Sequence, residues 1–203
     1  MLDRRSLLGR GSAAVFGALA LTAVADGTAL AATDRSAGYT PLPDPATTPV
    51  SNPPFPQGLT HEELAHLKSF DELDFVVYSQ QQWSRLGESH AHSIRVHWPD
   101  GHYTDGIDRH IADLKAQFVW SPDSKIYSHL LRVAQDNLTA VTGVMFGTFS
   151  RPMPDGKGGL IAPTGKRYSI NMATVGIWNR QGTMDEEFLF WDNADFHRQI
   201  GVA

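Results

Sequence analysis

The sequence contains no cysteine, which excludes a disulfide framework, a thiol nucleophile and every zinc or iron–sulfur site that needs thiolate ligands. Basic residues are the minority, with 17 Lys and Arg against 22 Asp and Glu, so the chain lacks the positive excess typical of nucleic-acid-binding proteins. It also lacks an apolar run of about 20 residues that would span a bilayer, a Gly-rich phosphate loop, a Gly-x-Ser-x-Gly elbow and a His-Glu-x-x-His motif. Its 203 residues suffice for one domain with a well-packed core.

Residues 1–31 predict an export signal. Arg4 and Arg5 open a basic segment, an Ala-rich apolar run follows, and Ala29-Leu30-Ala31 offers the small residues that a signal peptidase needs. The Arg pair followed by leucines resembles a twin-arginine signal, and an ordinary secretory signal is the alternative. We therefore expect export to the periplasm or the extracellular space, with no membrane anchor after the signal is removed.

Residues 32–57 predict an extended, disordered linker, because seven of the twelve prolines lie between positions 33 and 56 among Ser, Thr and Asn. The folded domain is expected to span residues 58–203. In it, capping boxes at Thr60–Glu63 and Ser69–Glu72 predict the starts of two helices, and apolar spacing predicts a third helix over Asp105–Phe118.

Strand patterns dominate the rest of the domain. A short strand is predicted over 93–98, then four long ones over 125–135, 138–149, 167–178 and 184–191, before a short closing helix. Helices followed by sequential strands indicate an α+β fold with a mainly antiparallel sheet. Because the strands are apolar on both faces, we expect one face to cover the helices and the other to meet a second copy in a homodimer.

The last strand carries the most interesting carboxylates. Strict alternation places Glu186 and Asp192 on the face of Met184 and Phe188, whereas Glu187 falls on the opposite face and is expected to be solvated. An acid among apolar neighbours has a raised pKa, which suits proton transfer. The alternatives are that Glu186 pairs with a Lys or Arg across the sheet and that Asp192 only caps the closing helix.

Histidines are concentrated early in the domain, with seven of nine between His61 and His110. His90 and His92 have the spacing of metal ligands on one strand face, but no further residue completes a site by spacing, so no metal or other cofactor is expected. His129 lies in the middle of a predicted strand, where it either faces a cavity or makes a hydrogen bond in the core.

Three segments together resemble the SnoaL-like polyketide cyclase family. They are Val96-His97-Trp98-Pro99-Asp100-Gly101 with the helix start after it, the turn Pro163-Thr164-Gly165-Lys166, and the acidic final strand ending in Trp191-Asp192. The resemblance covers residues 59–201 and implies the nuclear-transport-factor-2-like cone, in which three helices pack on a strongly curved sheet around an apolar pocket. It also implies metal-free ring closure of a polyketide ester by a pocket carboxylate.

Carried onto this sequence, the resemblance implies a catalytic set and a substrate-binding set. Glu186 is the first candidate for the acid–base group, Asp192 the second, and His129 a catalytic partner. Expected substrate contacts come from His97, Trp98, Asn171, Trp178 and Phe188. The predicted function is an exported, cofactor-free cyclase, isomerase or lyase acting on a small apolar carbonyl or ester compound; the alternative is an exported binding protein that uses the same pocket without turnover.

Overall fold

Helix α1 (His61–Glu72) begins where the sequence predicts it in the computed structural model of this chain, which describes residues 52–202. Thr60 accepts a hydrogen bond from the backbone of Glu63, and the Glu63 carboxylate accepts one from the backbone of Thr60, so the capping box is complete. The predicted export signal and residues 32–51 of the predicted linker lie outside the described residues.

The second predicted helix does not begin at Ser69. The chain continues from α1 into a π-helical segment (Leu73–Tyr78) and then a 3₁₀ helix (Trp83–Glu88). Ser69 lies inside α1, where the backbone N–H groups already have carbonyl partners one turn earlier. A capping box therefore has no unpaired N–H groups to bind at this position. The consequence is that Asp74 lies in a π-helical turn, a conformation found often at functional sites.

The sheet follows the predicted strands closely. The strands and remaining helices are β1 (His90–His97), β2 (Tyr103–Asp105), α2 (Ile107–Trp120), β3 (Lys125–Gln135), β4 (Leu138–Thr148), β5 (Met153–Pro154), β6 (Leu160–Ile161), β7 (Arg167–Trp178), β8 (Met184–Trp191) and α3 (Asn193–Ile200). Six of the strands form one sheet in the order β2-β1-β8-β7-β4-β3, and every neighbouring pair in it is antiparallel except β1 with β8. Helix α2 packs against β1 and β2, and helix α3 packs against β7. The predicted α+β class is confirmed.

The end of the predicted linker belongs to the folded domain. Asn52 Oδ1 accepts a hydrogen bond from the backbone N–H of His129 at 2.8 Å, and the Pro53 carbonyl accepts one from Arg132 at 3.1 Å. The guanidinium of Arg132 also lies 4.9 Å from the centre of the Phe55 ring. The domain boundary near residue 58 is therefore wrong by at least six residues, because one aromatic side chain and two polar groups bind this Pro-rich segment to β3.

The core lies between the inner face of the sheet and the helices. Phe70, Leu67 and Leu86 contribute from the helical side and Ile94 and Met184 from the sheet, all without solvent exposure. Within residues 52–202, every helix is too short or too polar to cross a lipid bilayer.

Candidate active site

A cavity of about 50 Å³ lies between the sheet and the helices. It holds only a few water molecules, since each needs at least about 10–15 Å³. Most of its wall is apolar, and its ionisable side chains come from the π-helical segment, β1, α2 and β8. The lining residues are Leu73, Asp74, Tyr78, His90, Trp98, His110, Leu114, Gln117, Ile126, Met145, Met172, Thr174, Glu187, Leu189 and Trp191.

The carboxylate that β8 turns into this cavity is Glu187, not Glu186. On β7, Ile177 pairs with Glu186 and Trp178 with Met184, so β8 contains one extra residue between these pairs. This β-bulge reverses the alternation of side chains after Met184. Glu187 and Leu189 consequently face inward with Trp191, and Glu187 is only 5% exposed.

Two histidines meet Glu187 inside the cavity. His90 Nε2 lies 3.5 Å from Glu187 Oε2, and His110 Nε2 lies 3.6 Å from the same carboxylate oxygen. Burial lowers the pKa of His110 well below its usual value, and the neighbouring His90 acts in the same direction, so His110 is neutral near pH 7. Among the described residues, these three form the one cluster of His, Asp and Glu that could hold a metal ion.

The second buried carboxylate, Asp74, is supported by a network behind the cavity wall. His129 is fully buried; its Nε2 lies 2.8 Å from Asp74 Oδ2 and its Nδ1 lies 2.7 Å from Asp71 Oδ1. Arg132 donates two hydrogen bonds to Asp71, at 2.7 and 2.9 Å. Two irregularities in the pairing of β3 with β4, on either side of His129, bring this residue to the helices.

The pKa values in this network reflect burial opposed by ion pairing. Burial is the largest effect on Asp74 and raises its pKa above the ordinary value; the hydrogen bond from His129 opposes it without reversing it, and the Glu187 charge adds to it. Burial lowers the pKa of His129, but its bonds to Asp71 and Asp74 raise it on balance. For Asp71, burial is outweighed by His129 and Arg132, which lower its pKa. Asp74 and His129 therefore form a buried hydrogen-bonded pair at the edge of the cavity.

A wider groove of about 360 Å³ adjoins the cavity on the side of α3. Trp98, Gln117, Met145 and Trp191 line both spaces, so these side chains form the partition between them. The Trp98 and Trp191 rings meet edge to face, with centroids 6.3 Å apart.

Three predicted site residues face away from the cavity. The Glu186 side chain is 44% exposed and its Oε2 lies 3.1 Å from His97 Nε2, while the Phe188 ring stacks on the His97 ring at 4.1 Å. The expected inward positions of Glu186, His97 and Phe188 are therefore wrong. The alternative for Glu186, a cross-strand pair with Lys or Arg, holds only in part: the pair crosses the strands, but its partner is His97.

The other predicted residues divide between the cavity, the core and the surface. Trp98 lines the cavity as expected. Trp178 is a core residue that donates to Thr139 and stacks on His66, so its expected place in the pocket is wrong. Asn171 lies on the outer face of the sheet, because β7 alternates regularly through Met172 and that residue faces inward.

Asp192 and His129 have the structural roles that were considered as alternatives, a helix cap and a hydrogen-bonded core residue. Asp192 caps α3, accepting hydrogen bonds from the backbone of Ala194 and Asp195 at 2.8 and 3.0 Å, and it is exposed. Its expected place in the pocket is wrong, because β8 ends at Trp191 and Asp192 instead begins the turn into α3. His129 makes buried hydrogen bonds in the core and reaches the cavity only through Asp74.

Four cavity residues were missed from the sequence: Asp74, His90 as a cavity residue, His110 and Glu187. The acids at 71 and 74, one helical turn apart and both preceding an apolar segment, were a usable signal. Glu187 gave none, because its inward position depends on an extra residue in β8 that alternation cannot show.

Comparison with known proteins shows the fold. No protein-family profile matches the chain, and no curated protein matches it in sequence. A candidate SnoaL-like polyketide cyclase from Jannaschia sp. CCS1 is similar in structure, with a TM-score of 0.63, 16% identity, and coverage of 73% of this chain and 99% of that one.

Two other solved structures agree with it. IdmH, a candidate polyketide cyclase from Streptomyces antibioticus, has a TM-score of 0.56 and 20% identity over 70% of this chain and all of its own. A nuclear-transport-factor-2-like protein of unknown function from Burkholderia pseudomallei K96243 has a TM-score of 0.55 and 14% identity, covering 70% and 98%. The expected nuclear-transport-factor-2-like fold is therefore confirmed, while identities this low leave the activity open.

Proposed function

We propose that this chain, which has the nuclear-transport-factor-2-like fold, is a SnoaL-like enzyme that moves a proton on a small apolar carbonyl compound, as a cyclase or an isomerase does. The observation that carries the proposal is Asp74: a buried carboxyl in the wall of an apolar cavity, with its pKa raised by burial and with His129 2.8 Å from its oxygen. A pKa displaced toward neutrality lets one carboxyl both accept and return a proton.

In the proposed reaction, the Asp74 carboxylate takes a proton from the carbon next to the carbonyl group, and the electron pair of that C–H bond moves onto the carbonyl oxygen. The resulting enolate then attacks a second carbon within the same molecule or takes a proton back at another position. His129 is a positioning residue: it holds the Asp74 carboxyl and stabilises its charged form. The enolate oxygen needs a positive or hydrogen-bonding group, and His90 and His110 line the same cavity.

The size of the cavity favours a small substrate. A cavity of about 50 Å³ holds only a few water molecules, so even a small carbonyl compound would have to extend past Trp98 and Trp191 into the adjoining groove. The apolar wall favours a compound with one polar end, which would lie near Asp74 and Glu187.

The test is hydrogen–deuterium exchange at the carbon next to a carbonyl group. Small β-diketones and β-keto esters are incubated with the protein in D₂O and followed by NMR. We expect catalysed exchange that falls about 100-fold or more in Asp74→Asn and is unchanged in Glu186→Gln, whose side chain lies on the outer face. Exchange that survives Asp74→Asn contradicts the role of Asp74, and binding without exchange supports a binding protein instead.

Export and self-association are part of the proposal. Export is supported by Arg4-Arg5 and the cleavage pattern ending at Ala31, and replacing both arginines with lysine in the full chain should block twin-arginine export while sparing ordinary secretion. A homodimer is supported by apolar side chains exposed on the sheet strands: Leu130, Leu131, Val133, Leu138 and Phe190.

A further inference from the structure

The three ligand atoms of the His90–His110–Glu187 cluster have the spacing of a metal site. Both Nε2 atoms lie 3.5–3.6 Å from Glu187 Oε2, and all three atoms fall within 4.8 Å of one another. In a tetrahedral zinc site with bonds of 2.0–2.2 Å, ligand atoms are about 3.4 Å apart. The observed distances are too long for strong hydrogen bonds, which are about 2.7–3.2 Å for N–H···O.

Ser89 lies on the other side of the His90 ring, with its hydroxyl oxygen 2.9 Å from Nδ1. A metal-binding histidine usually has a hydrogen-bond partner on its second ring nitrogen, which orients the ring. The contact with Ser89 would hold the His90 ring with Nε2 toward Glu187 Oε2.

The charge around Glu187 also calls for a cation. The ion-pair partners of this buried carboxylate are the imidazoles of His90 and His110. Asp74 adds a second buried acid to the same cavity. A divalent ion bound among these groups would compensate this negative charge.

We propose that His90, His110 and Glu187 bind one divalent transition-metal ion, Zn²⁺ in the first instance, with its remaining coordination position open to the cavity. Two imidazoles and one carboxylate suit zinc and neighbouring transition metals rather than Mg²⁺ or Ca²⁺, which prefer oxygen ligands. The predicted absence of a metal is thereby revised. For turnover this site rests on the proposed function, in which the ion would receive the enolate oxygen opposite Asp74; its binding does not depend on turnover.

The experiment titrates the untagged, chelator-treated protein with Zn²⁺ and with Co²⁺, and uses Mg²⁺ for comparison. Calorimetry gives stoichiometry and affinity, the visible absorption of bound Co²⁺ reports four-coordinate geometry, and the melting temperature reports stabilisation. Glu187→Gln and His110→Gln remove ligands. His97→Gln and Glu186→Gln are the matched controls, because they alter a His–Glu pair of similar geometry on the outer face.

We expect one Zn²⁺ per chain, a higher melting temperature with Zn²⁺, and affinity reduced about 100-fold or more in both ligand variants, since loss of an outer-shell partner alone costs 10–100-fold. The two control variants should bind as the unaltered protein does. If Glu187→Gln does not fold without metal, His90→Gln takes its place.

Any of three results overturns the proposal: no stoichiometric binding of Zn²⁺ or Co²⁺, equal binding by the ligand variants, or binding lost in the outer-face variants. Asp74→Asn separates the two proposals, since it should abolish deuterium exchange and retain Zn²⁺ binding.

Discussion

Replacing His129 with leucine should destabilise the protein strongly, because this side chain is the link between the two acids of the buried network. Leucine fills most of the space of the imidazole, so the packing loss is small. What is lost is the bond at 2.8 Å to Asp74 and the bond at 2.7 Å to Asp71.

The magnitude follows from what each acid retains. Asp71 keeps its two hydrogen bonds from Arg132, so losing the bond to His129 costs little free energy at Asp71. Asp74 is left buried and must either stay charged without His129 or take up a proton. Removing one partner of a buried ion pair costs about 3–5 kcal/mol, and because protonation of Asp74 limits the penalty, we expect about 3 kcal/mol at pH 7 for His129→Leu.

The assay is urea unfolding followed by tryptophan fluorescence, with Asp74→Leu and the double variant completing a cycle. Replacing both partners with apolar groups removes the unpaired acid, so the double variant should lose at least about 1.5 kcal/mol less than the sum of the single variants. A loss below about 1 kcal/mol for His129→Leu, or strictly additive losses, would refute the reasoning.

Three further predictions concern packing, assembly and pH. Gly176→Ala should lower the free energy of unfolding by about 1–3 kcal/mol, because a Cβ there would lie 2.5 Å from Met184 Sδ. Gly87→Ala is the control and should not lower it, because the nearest atom to a Cβ there is 3.9 Å away. Equal urea midpoints for the two variants would contradict this. Phe190→Asp should convert the proposed dimer to monomer in sedimentation, and a monomeric unaltered protein would reject that interface. In the unfolded chain His110 binds a proton below about pH 6.5, whereas burial lowers its pKa in the folded protein. The free energy of unfolding of the metal-free protein should therefore fall as pH drops from 7 to 5, and it should fall less in His110→Phe. Parallel pH profiles of the two proteins would contradict the assignment.

The order of secondary structure was accessible from the sequence because local signals determine it. The capping box at Thr60, the apolar spacing of α2 and the turn between β3 and β4 each act over a few residues. Even so, the capping box at Ser69 did not start a new helix, because α1 had already satisfied the backbone groups at that position. The predicted end of the linker was wrong because Asn52 and Phe55 contact β3, which lies far away in the chain, and local composition does not show such contacts.

The cavity residues depended on tertiary structure. The sequence determined the α+β order, an acidic final strand and a carboxylate candidate near residue 186, but one extra residue in β8 decided that Glu187 rather than Glu186 faces inward. In the same way, Asp74 and His129 are 55 residues apart in the chain and meet only because β3 crosses the π-helical segment. Side-chain direction on a strand alternates with every residue, so a single bulge exchanges the buried and exposed faces, and only pairing with the neighbouring strand reveals it.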